Sequence, residues 1–177
     1  DNSLSAAKEI KVSTDGGLWH LQAKSNEQFS ASFEVTSPID QITLDFGEES
    51  LILDCINLGN PHGVTFQDKE STINFLKTGK DLQENSYFPD GVNFGLANIL
   101  SDSEMDLRVY ERGAGETAAC GSGACAAAII GISRKNMVAP VKVNFQLGSL
   151  LIDYKKESSL IVAEGSATLV EEKQVEI

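Results

Sequence analysis

The sequence from Glu111 to Cys125, Glu-Arg-Gly-Ala-Gly-Glu-Thr-Ala-Ala-Cys-Gly-Ser-Gly-Ala-Cys, predicts the start of a helix beside a reactive side chain. Glycine costs roughly 1 kcal/mol in a helix interior relative to alanine, so Gly121-Ser-Gly123 indicates a helix terminus. The first N–H groups of a helix have no partner inside it, and with the helix dipole they form a site for a carboxylate or phosphate. The same dipole favours the thiolate of Cys120. The stretch therefore predicts an anion site and an activated thiol at one point.

The residues after this loop predict a buried helix. From Ala124 to Ile132 the side chains are small or apolar on every side, which is typical of a helix surrounded by protein. Arg134 and Lys135 provide cations at its end. A free cysteine in such a helix normally serves packing, and we assign that role to Cys125. Cys120 differs because its glycine-rich surroundings have no packing purpose.

Most of the remaining chain has strand patterns. Segments rich in alternating apolar residues, bounded by glycine and proline turns, lie on both sides of the helix. The predicted strands are 9–14, 18–22, 29–35, 41–46, 51–58, 92–100, 105–110, 141–145, 149–154, 160–163 and 167–170. A short amphipathic surface helix is predicted within 68–82. Many strands around one apolar helix indicate an α+β fold with a sheet curled about that helix.

One break in the strand pattern presents polar side chains. Gly59-Asn-Pro-His-Gly63 follows a predicted strand, and its proline lacks an N–H and has a fixed backbone angle. We interpret this segment as a set loop that presents Asn60 and His62. An incidental turn is the alternative interpretation of this motif alone. An unperturbed histidine titrates near neutrality, which favours a functional role for His62.

The composition is that of a globular protein without the surface that nucleic acids require. The 177 residues are 41% hydrophobic and 23% charged, and they are enough for one domain with a proper core. The net charge of -12 argues against nucleic acid or an anionic membrane as a partner. No apolar run reaches the roughly 18 residues of a membrane span.

The cysteine and histidine counts argue against disulfides and metals. The three cysteines have irregular spacing and form no Cys-x-x-Cys motif, and the two histidines show no ligand spacing. We therefore expect a reducing, cytoplasmic compartment and no metal site.

Three motifs, in order along the chain, resemble those of the diaminopimelate epimerase family. The members of this family are racemases that use no pyridoxal phosphate. They are Gly59-Asn-Pro-His-Gly-Val64, Phe88-Pro-Asp-Gly-Val-Asn93 and the stretch from Glu111 to Cys125. The likeness extends from about Glu9 to the end of the chain, although Leu96 stands where the family usually has an aromatic residue. The resemblance implies an α+β fold in which a mixed sheet is curled into a barrel around a central buried helix.

The resemblance also implies that this chain is the C-terminal half of the family's protein. The family has two pseudo-symmetric halves, each with one cysteine at the start of a central helix, and this chain carries a single Cys-Gly-Ser-Gly. Residues 1–5 are similar to the loop that follows the first half's helix. We therefore treat residues 1–177 as one C-terminal domain. We expect residues 171–177 to pair with the missing N-terminal half.

The positions that match the family's motifs acquire roles from the resemblance. Cys120 is implied to be one of two acid/base thiols, while Glu111 and His62 are implied to set the protonation of the cysteine pair. The implied substrate-binding residues are Asn60, Asn93, Glu111, Arg112, Gly121 and Ser122. No cofactor is implied. Arg112 suits a substrate carboxylate because its guanidinium binds both oxygens, and a salt bridge to Glu111 or Glu116 is its alternative role.

Three functions compete. The first is the catalytic C-terminal half of an enzyme that interconverts LL- and meso-diaminopimelate in lysine and peptidoglycan precursor synthesis. The second is a related cofactor-independent racemase or isomerase with another substrate, and the third is an isolated domain without turnover. One thiol cannot serve both faces of a stereocentre, so we expect negligible epimerisation by this chain alone. The expected partners are a small amino acid and the missing half, with a homodimer as a further candidate.

Overall fold

The computed structural model of the chain describes residues 9–14, 17–25, 27–46, 49–67 and 73–167. The helices are α1 (Phe75–Gln83) and α2 (Gly121–Arg134). The strands are β1 (Glu9–Thr14), β2 (Gly17–Ala23), β3 (Gln28–Glu34), β4 (Asp40–Phe46), β5 (Glu49–Asn57), β6 (Pro61–Gln67), β7 (Asn93–Ser101), β8 (Glu104–Glu111), β9 (Gly115–Thr117), β10 (Val141–Phe145), β11 (Gly148–Lys155) and β12 (Leu160–Ser166). The predicted strand 167–170 and the segment 171–177 lie almost wholly outside the described residues.

The described strands form one mixed sheet, as the sequence predicts. Its order is β1-β2-β3-β12-β11-β10-β8-β7-β6-β5-β4, with β9 paired to β8. The pairs β6–β7 and β8–β10 are parallel, whereas the other neighbouring pairs are antiparallel. The parallel pair β6–β7 brings the starts of both strands to the same edge of the sheet. The α+β class and the mixed sheet are confirmed.

The prediction of a closed barrel is wrong for the part of the chain that is described. Closure requires hydrogen bonds between the two outer strands of the sheet. Here β1 pairs with β2 and β4 pairs with β5, and these two outer strands do not pair with each other. The sheet is therefore open. Helix α2 packs against β6, β7, β8, β10, β11 and β12, which are six successive strands in the middle of the sheet.

Helix α2 is the buried central helix that its apolar sequence predicts. Every residue from Gly123 to Gly131 is buried, and most of these residues are alanine or isoleucine. The small side chains let strands approach closely from several directions. At the C-terminal end, Asn136 has a positive φ of 59°, and the N–H of Met137 donates to the carbonyl of Gly131 at 3.1 Å. This backbone reversal ends the helix where the cations of the sequence indicate.

An ion pair fixes the C-terminal end of α2 to the sheet. The guanidinium of Arg134 donates to the carboxylate of Asp54 on β5, and it also donates to the carbonyl of Ile39. Asp54 is only 2% exposed, and the amide of Gln41 donates to the same carboxylate at 2.9 Å. A buried carboxylate requires such partners. The C-terminal end of α2 is therefore held by satisfied polar contacts.

Helix α1 covers a second, smaller core. Its buried residues Phe75, Gly79 and Leu82 lie on one face, and Phe75 stacks on Phe94 of β7. A Cβ on Gly79 would lie 2.5 Å from the ring of Tyr110, so the helix touches β8 at this glycine. The prediction of an amphipathic surface helix is confirmed. Neither described helix is long and apolar enough to cross a membrane.

Candidate active site

The polar residues of the three motifs meet where β6 and β7 begin, β8 ends and α2 begins. In the parallel pair β6–β7, His62 lies opposite Asn93. In the antiparallel pair β7–β8, Phe94 lies opposite Tyr110, which places Asn93 beside Glu111 at the strand ends. Helix α2 starts directly after Cys120. Register alone therefore brings segments that are far apart in sequence to one edge of the sheet.

Cys120 and Glu111 form a direct contact. Cys120 is the N-cap residue of α2, in an extended conformation, and it is 6% exposed. Its thiol donates a hydrogen bond to Oε2 of Glu111 at 3.2 Å, and Oγ of Ser122 lies 3.6 Å from its sulfur. A carboxylate that accepts the thiol proton at this distance is a proton acceptor already in place. The structure thus brings Cys120, Glu111 and Ser122 together.

The start of α2 favours the Cys120 thiolate through the backbone of Gly123, as predicted, but the activated thiol is not found because the net shift of the Cys120 pKa is upward. Burial is the largest influence and raises the pKa of Cys120, and the hydrogen bond to Glu111 and its charge raise this pKa further. The hydroxyl of Ser122 and the backbone of Gly123 act in the opposite direction but are outweighed. Burial outweighs these contacts because a thiolate loses more solvation than a thiol. The raised pKa keeps Cys120 a thiol near pH 7, and this thiol donates its hydrogen bond to Glu111.

His62 is not on a loop, contrary to the sequence prediction. It is the second residue of β6, and it is 2% exposed. The segment from Gly59 is only a bend of the chain, and the strand resumes at Pro61 because β6 pairs with both β5 and β7. The motif therefore presents its histidine inside the sheet.

The His62 side chain is a neutral imidazole near pH 7. Burial lowers the pKa of His62 to about 4, and the negative charge of Glu111 opposes this shift only in part. Nε2 lies 3.0 Å from Oδ1 of Asn60, and because an amide oxygen only accepts, Nε2 carries the ring proton in this arrangement. His62 and Asn60 are thus brought together as a hydrogen-bonded pair beside the carboxylate.

Asn93 connects the three strand ends that form the site. Its Nδ2 donates to the carbonyl of Pro61 at 3.2 Å, and its Oδ1 accepts the N–H of Arg112 at 3.0 Å. The residue is 4% exposed. One amide side chain therefore holds β6, β7 and the end of β8 in a fixed relation, and one hydrogen of Nδ2 remains for a ligand.

Arg112 is exposed at the edge of the site, and no described carboxylate pairs with its charge. Among the described residues it forms no salt bridge with Glu111 or Glu116, and Glu116 instead pairs with Arg108 at 2.8 Å. The contact of its guanidinium is the carbonyl of Asp90, at 3.3 Å from Nη1. The alternative role predicted for Arg112, an internal salt bridge, is therefore not seen in this structure.

The N-terminal turn of α2 supplies backbone donors next to the thiol. The first intrahelical bond runs from the N–H of Ala124 to the carbonyl of Cys120 at 2.9 Å. The N–H groups of Gly121 and Ser122 precede this bond and have no acceptor inside the helix. Both residues also border an apolar cavity of about 450 Å³ on the side of α2 that faces β2 and β3. The sequence analysis did not predict this cavity.

Gln83 is not among the site residues that the sequence predicts, yet its side-chain amide bonds to the backbone of Val92 just before Asn93. The signal in the sequence that could have identified Gln83 was its position on α1. Gln83 lies four residues after Gly79 and eight after Phe75, which places it on the buried face of α1 rather than among its exposed side chains. A polar residue on a buried face needs hydrogen-bond partners.

Comparisons with known proteins decide the family. The family model for diaminopimelate epimerase matches residues 55–170. The diaminopimelate epimerase of Nitrosospira multiformis is 36% identical over 190 residues, which cover 100% of this chain and 68% of that protein. The chain belongs to the diaminopimelate epimerase family. The diaminopimelate epimerase of Pseudomonas syringae pv. tomato is 33% identical over 189 residues, with the same coverage of each chain. The match to about two thirds of these relatives agrees with the predicted C-terminal part of an epimerase.

Two solved structures share the fold of this chain. A probable proline racemase from Agrobacterium radiobacter K84 superimposes with a TM-score of 0.72 at 16% identity, over 96% of this chain and 61% of that protein. A hydroxyproline epimerase from Agrobacterium vitis gives a TM-score of 0.65 at 15% identity, over 90% of this chain and 56% of that protein. At such identities these likenesses establish the fold alone.

Proposed function

We propose that this chain is the Cys120-bearing part of a cofactor-independent enzyme that interconverts LL- and meso-diaminopimelate. The observation that carries the proposal is the hydrogen bond of 3.2 Å between the Cys120 thiol and Oε2 of Glu111 at the start of α2. The names of the full-length relatives, which are 33% and 36% identical, support the substrate. The second thiol belongs to the part of the enzyme that this chain does not include.

Removal of an α-proton from an amino acid places negative charge on the carbon and its carboxylate. Fixed donors that face this carboxylate stabilise the transition state, and the loss of one such donor typically costs about 3 kcal/mol. The N–H groups at the start of α2, from Gly121 and Ser122, fit this role. Arg112, whose charge lies at the exposed side of the site, fits a second carboxylate of the same substrate.

The proposed reaction uses one thiol on each face of the stereocentre. In one direction the Cys120 thiolate takes the α-proton, so that the C–H bond breaks, an S–H bond forms and the electron pair remains on the substrate carbon and carboxylate. The second thiol then gives its proton to the opposite face of that carbon. In the reverse direction the two thiols exchange roles. Glu111 takes the Cys120 proton before the first step, as their contact allows.

His62 contributes a neutral hydrogen-bonding group in this scheme. Its pKa of about 4 keeps the imidazole uncharged near pH 7. Glu111 is our candidate proton acceptor because it contacts the Cys120 thiol directly, at 3.2 Å. With Asn60 it forms a buried polar pair that fixes the surroundings of the carboxylate. We propose that both residues, together with Asn93, position the substrate against the thiol.

The proposal also covers the N-terminal half of the enzyme, its location and its oligomeric state. We propose that residues 171–177, which lie outside the described residues, pair with the missing N-terminal half, and that epimerisation needs this half. A cytoplasmic location and association into a homodimer also remain proposals.

Proton NMR of diaminopimelate in D2O tests the proposed function. The α-proton signal is followed with this chain alone, with the protein after its upstream part is restored, and with the restored Cys120→Ser variant. We expect exchange only in the restored protein, and a loss of at least about 1000-fold in Cys120→Ser. The restored Cys55→Ser variant, which changes a cysteine outside the site, is the matched control and is expected to retain exchange. Failure of the restored wild-type protein to exchange diaminopimelate, or undiminished exchange in Cys120→Ser, would refute the proposal.

A further inference from the structure

We propose that Gln83 is a positioning residue that fixes Arg112 at the exposed side of the site. The inference rests on the proposed function, because it assigns Arg112 to a substrate carboxylate. Gln83 ends helix α1, and its side chain bonds to the backbone of Gly79 and Val92. It acts through the backbone segment Asp90–Asn93.

The carboxamide of Gln83 is bonded at both of its ends to this part of the chain. Nε2 donates to the carbonyl of Val92 at 2.9 Å and to the carbonyl of Gly79 at 3.0 Å, while Oε1 accepts the N–H of Val92 at 3.3 Å. Val92 is fully buried. The side chain thus pairs with one residue of the incoming chain as a neighbouring strand would, and it fixes the point at which β7 begins.

Two contacts transmit this position to Arg112. Asn93, which follows Val92, accepts the backbone N–H of Arg112 at 3.0 Å. The carbonyl of Asp90, two residues before Val92, accepts Nη1 of Arg112 at 3.3 Å. The backbone and the guanidinium of Arg112 are therefore both held by the segment that Gln83 fixes.

Gly91 brings the two side chains close together. It has a φ of +75°, and a Cβ at this residue would lie 2.8 Å from Oε1 of Gln83 and 3.1 Å from Cγ of Arg112. Only a residue without a side chain fits between them at this backbone conformation. Oε1 of Gln83 and the stem of Arg112 therefore both lie against Gly91.

The neutrality of Gln83 has a consequence for the charge of Arg112. Among the described residues, Arg112 has no carboxylate partner. A glutamate in place of Gln83 would lose the two Nε2 bonds and would place an anion beside the arginine stem. That anion would compete with a substrate carboxylate for the guanidinium. A neutral amide holds the segment without such competition.

The test compares three variants of the protein with its upstream part restored. Gln83→Glu removes the donors and adds a charge, Gln83→Met removes all polar contacts at similar length, and Lys80→Met changes an exposed residue of the same helix. For diaminopimelate we expect KM to rise about tenfold in Gln83→Glu and about threefold to tenfold in Gln83→Met, with kcat changed by less than about threefold. Lys80→Met is expected to retain both values.

A second measurement separates this inference from the proposed function. NMR of the Arg112 backbone N–H and side-chain Nε–H in the same proteins is expected to show displaced signals and faster exchange in both Gln83 variants, with wild-type signals in Lys80→Met. If the wild-type protein does not turn over diaminopimelate, the proposed function fails, and displaced Arg112 signals still support the positioning role. Unchanged Arg112 signals in both Gln83 variants, or a KM equal to that of wild type, would overturn it.

Discussion

The two ends of helix α2 have opposite polar surroundings. At the C-terminal end, Arg134 and Asp54 satisfy each other, and Gln41 and the carbonyl of Ile39 complete the contacts. At the N-terminal end, backbone donors lie beside Cys120, whose thiol already donates to Glu111. The first end has its polar groups used within the protein, whereas at the second the N–H groups of Gly121 and Ser122 have no acceptor inside the helix.

This difference shows how one helix serves both stability and chemistry. The run of small residues between the ends is buried on all sides, so the helix is a rigid connection between them. The polar groups at the C-terminal end lie outside the site that we propose. A buried thiol next to a carboxylate is unfavourable for the stability of the fold, and this pair lies where we propose that substrate binds. Substitutions at the two ends should therefore change different properties.

The largest expected effect is on catalysis at the N-terminal end. Glu111→Gln removes the acceptor of the Cys120 proton while it keeps the size of the side chain. We expect kcat of the restored protein to fall by about 100-fold or more, with the free energy of unfolding changed by less than about 1 kcal/mol. Glu116→Gln, which changes an exposed carboxylate of the same hairpin, is the control and is expected to retain kcat. Wild-type kcat in Glu111→Gln would remove Glu111 from the mechanism.

The next effect concerns stability at the C-terminal end. Asp54→Ala leaves the partly buried Arg134 without its carboxylate and leaves a small cavity behind. We expect a loss of about 3 kcal/mol in the free energy of unfolding, measured by urea titration, with kcat of the folded protein nearly unchanged. Asp153→Ala on β11, which forms no such ion pair, serves as the comparison. A catalytic defect at wild-type stability would contradict the division between the two ends.

A stability effect of similar or smaller size is expected from pH at the N-terminal end. The pKa of His62 is about 4 in the folded protein and near its ordinary value of 6.5 in the unfolded chain. Between these values the unfolded chain binds the proton and the folded protein does not, so stability falls as the pH decreases from about 6.5 to about 4. Over this pH range His62 lowers the free energy of unfolding by about 3 kcal/mol in total.

Two histidine variants isolate this contribution in urea titrations at several pH values. The difference in the free energy of unfolding between wild type and His62→Gln should change over this pH range by about 3 kcal/mol, the amount that His62 contributes. His20→Gln changes the half-exposed histidine beside Glu9 and serves as the control for the loss of an imidazole away from the site. Equal pH profiles for wild type and His62→Gln would show that the imidazole is not held neutral by burial.

The smallest effects come from two glycines of α2 itself. A Cβ on Gly131 would lie 2.7 Å from Sδ of Met137, so Gly131→Ala is expected to cost about 1 to 2 kcal/mol. A Cβ on Gly121 meets nothing within 4 Å, so Gly121→Ala should change stability by less than about 1 kcal/mol. Thermal unfolding of both variants measures this contrast. A larger loss in Gly121→Ala than in Gly131→Ala would contradict the packing described for the two ends.

Local sequence predicted the elements whose cause is local. The alanine and glycine composition from Gly121 to Gly131 predicts a buried helix with a glycine-rich start, and the helix is found there. Alternating segments predicted the strands on both sides of it. The motif residues were recognised because their spacing matches a family. These features depend on neighbouring residues, which the sequence displays.

The features that the sequence did not predict depend on long-range contacts. His62 was placed on a loop because Pro61 resembles a turn residue, but pairing with β7 makes this segment a strand. The pKa of Cys120 was expected to be low because of the helix, but burial and the approach of Glu111 raise it. Gln83 was missed because its partner, Val92, is brought to it by the packing of α1 on the sheet. The barrel prediction was wrong for the described part of the chain because closure requires pairing between the outer strands β1 and β4, and local sequence patterns do not show whether such strands pair.

Titration of the Cys120 thiol tests the proton transfer between Cys120 and Glu111. Selective 13C labelling of cysteine Cβ allows NMR to follow Cys120 as the pH rises, in wild type and in Glu111→Gln. We expect the pKa of Cys120 to lie above its ordinary value in wild type, because burial and Glu111 both raise it, and to fall when Glu111 becomes an amide. A pKa of Cys120 below its ordinary value, or one that is unchanged in Glu111→Gln, would contradict the proposed role of Glu111 as the partner of the Cys120 thiol.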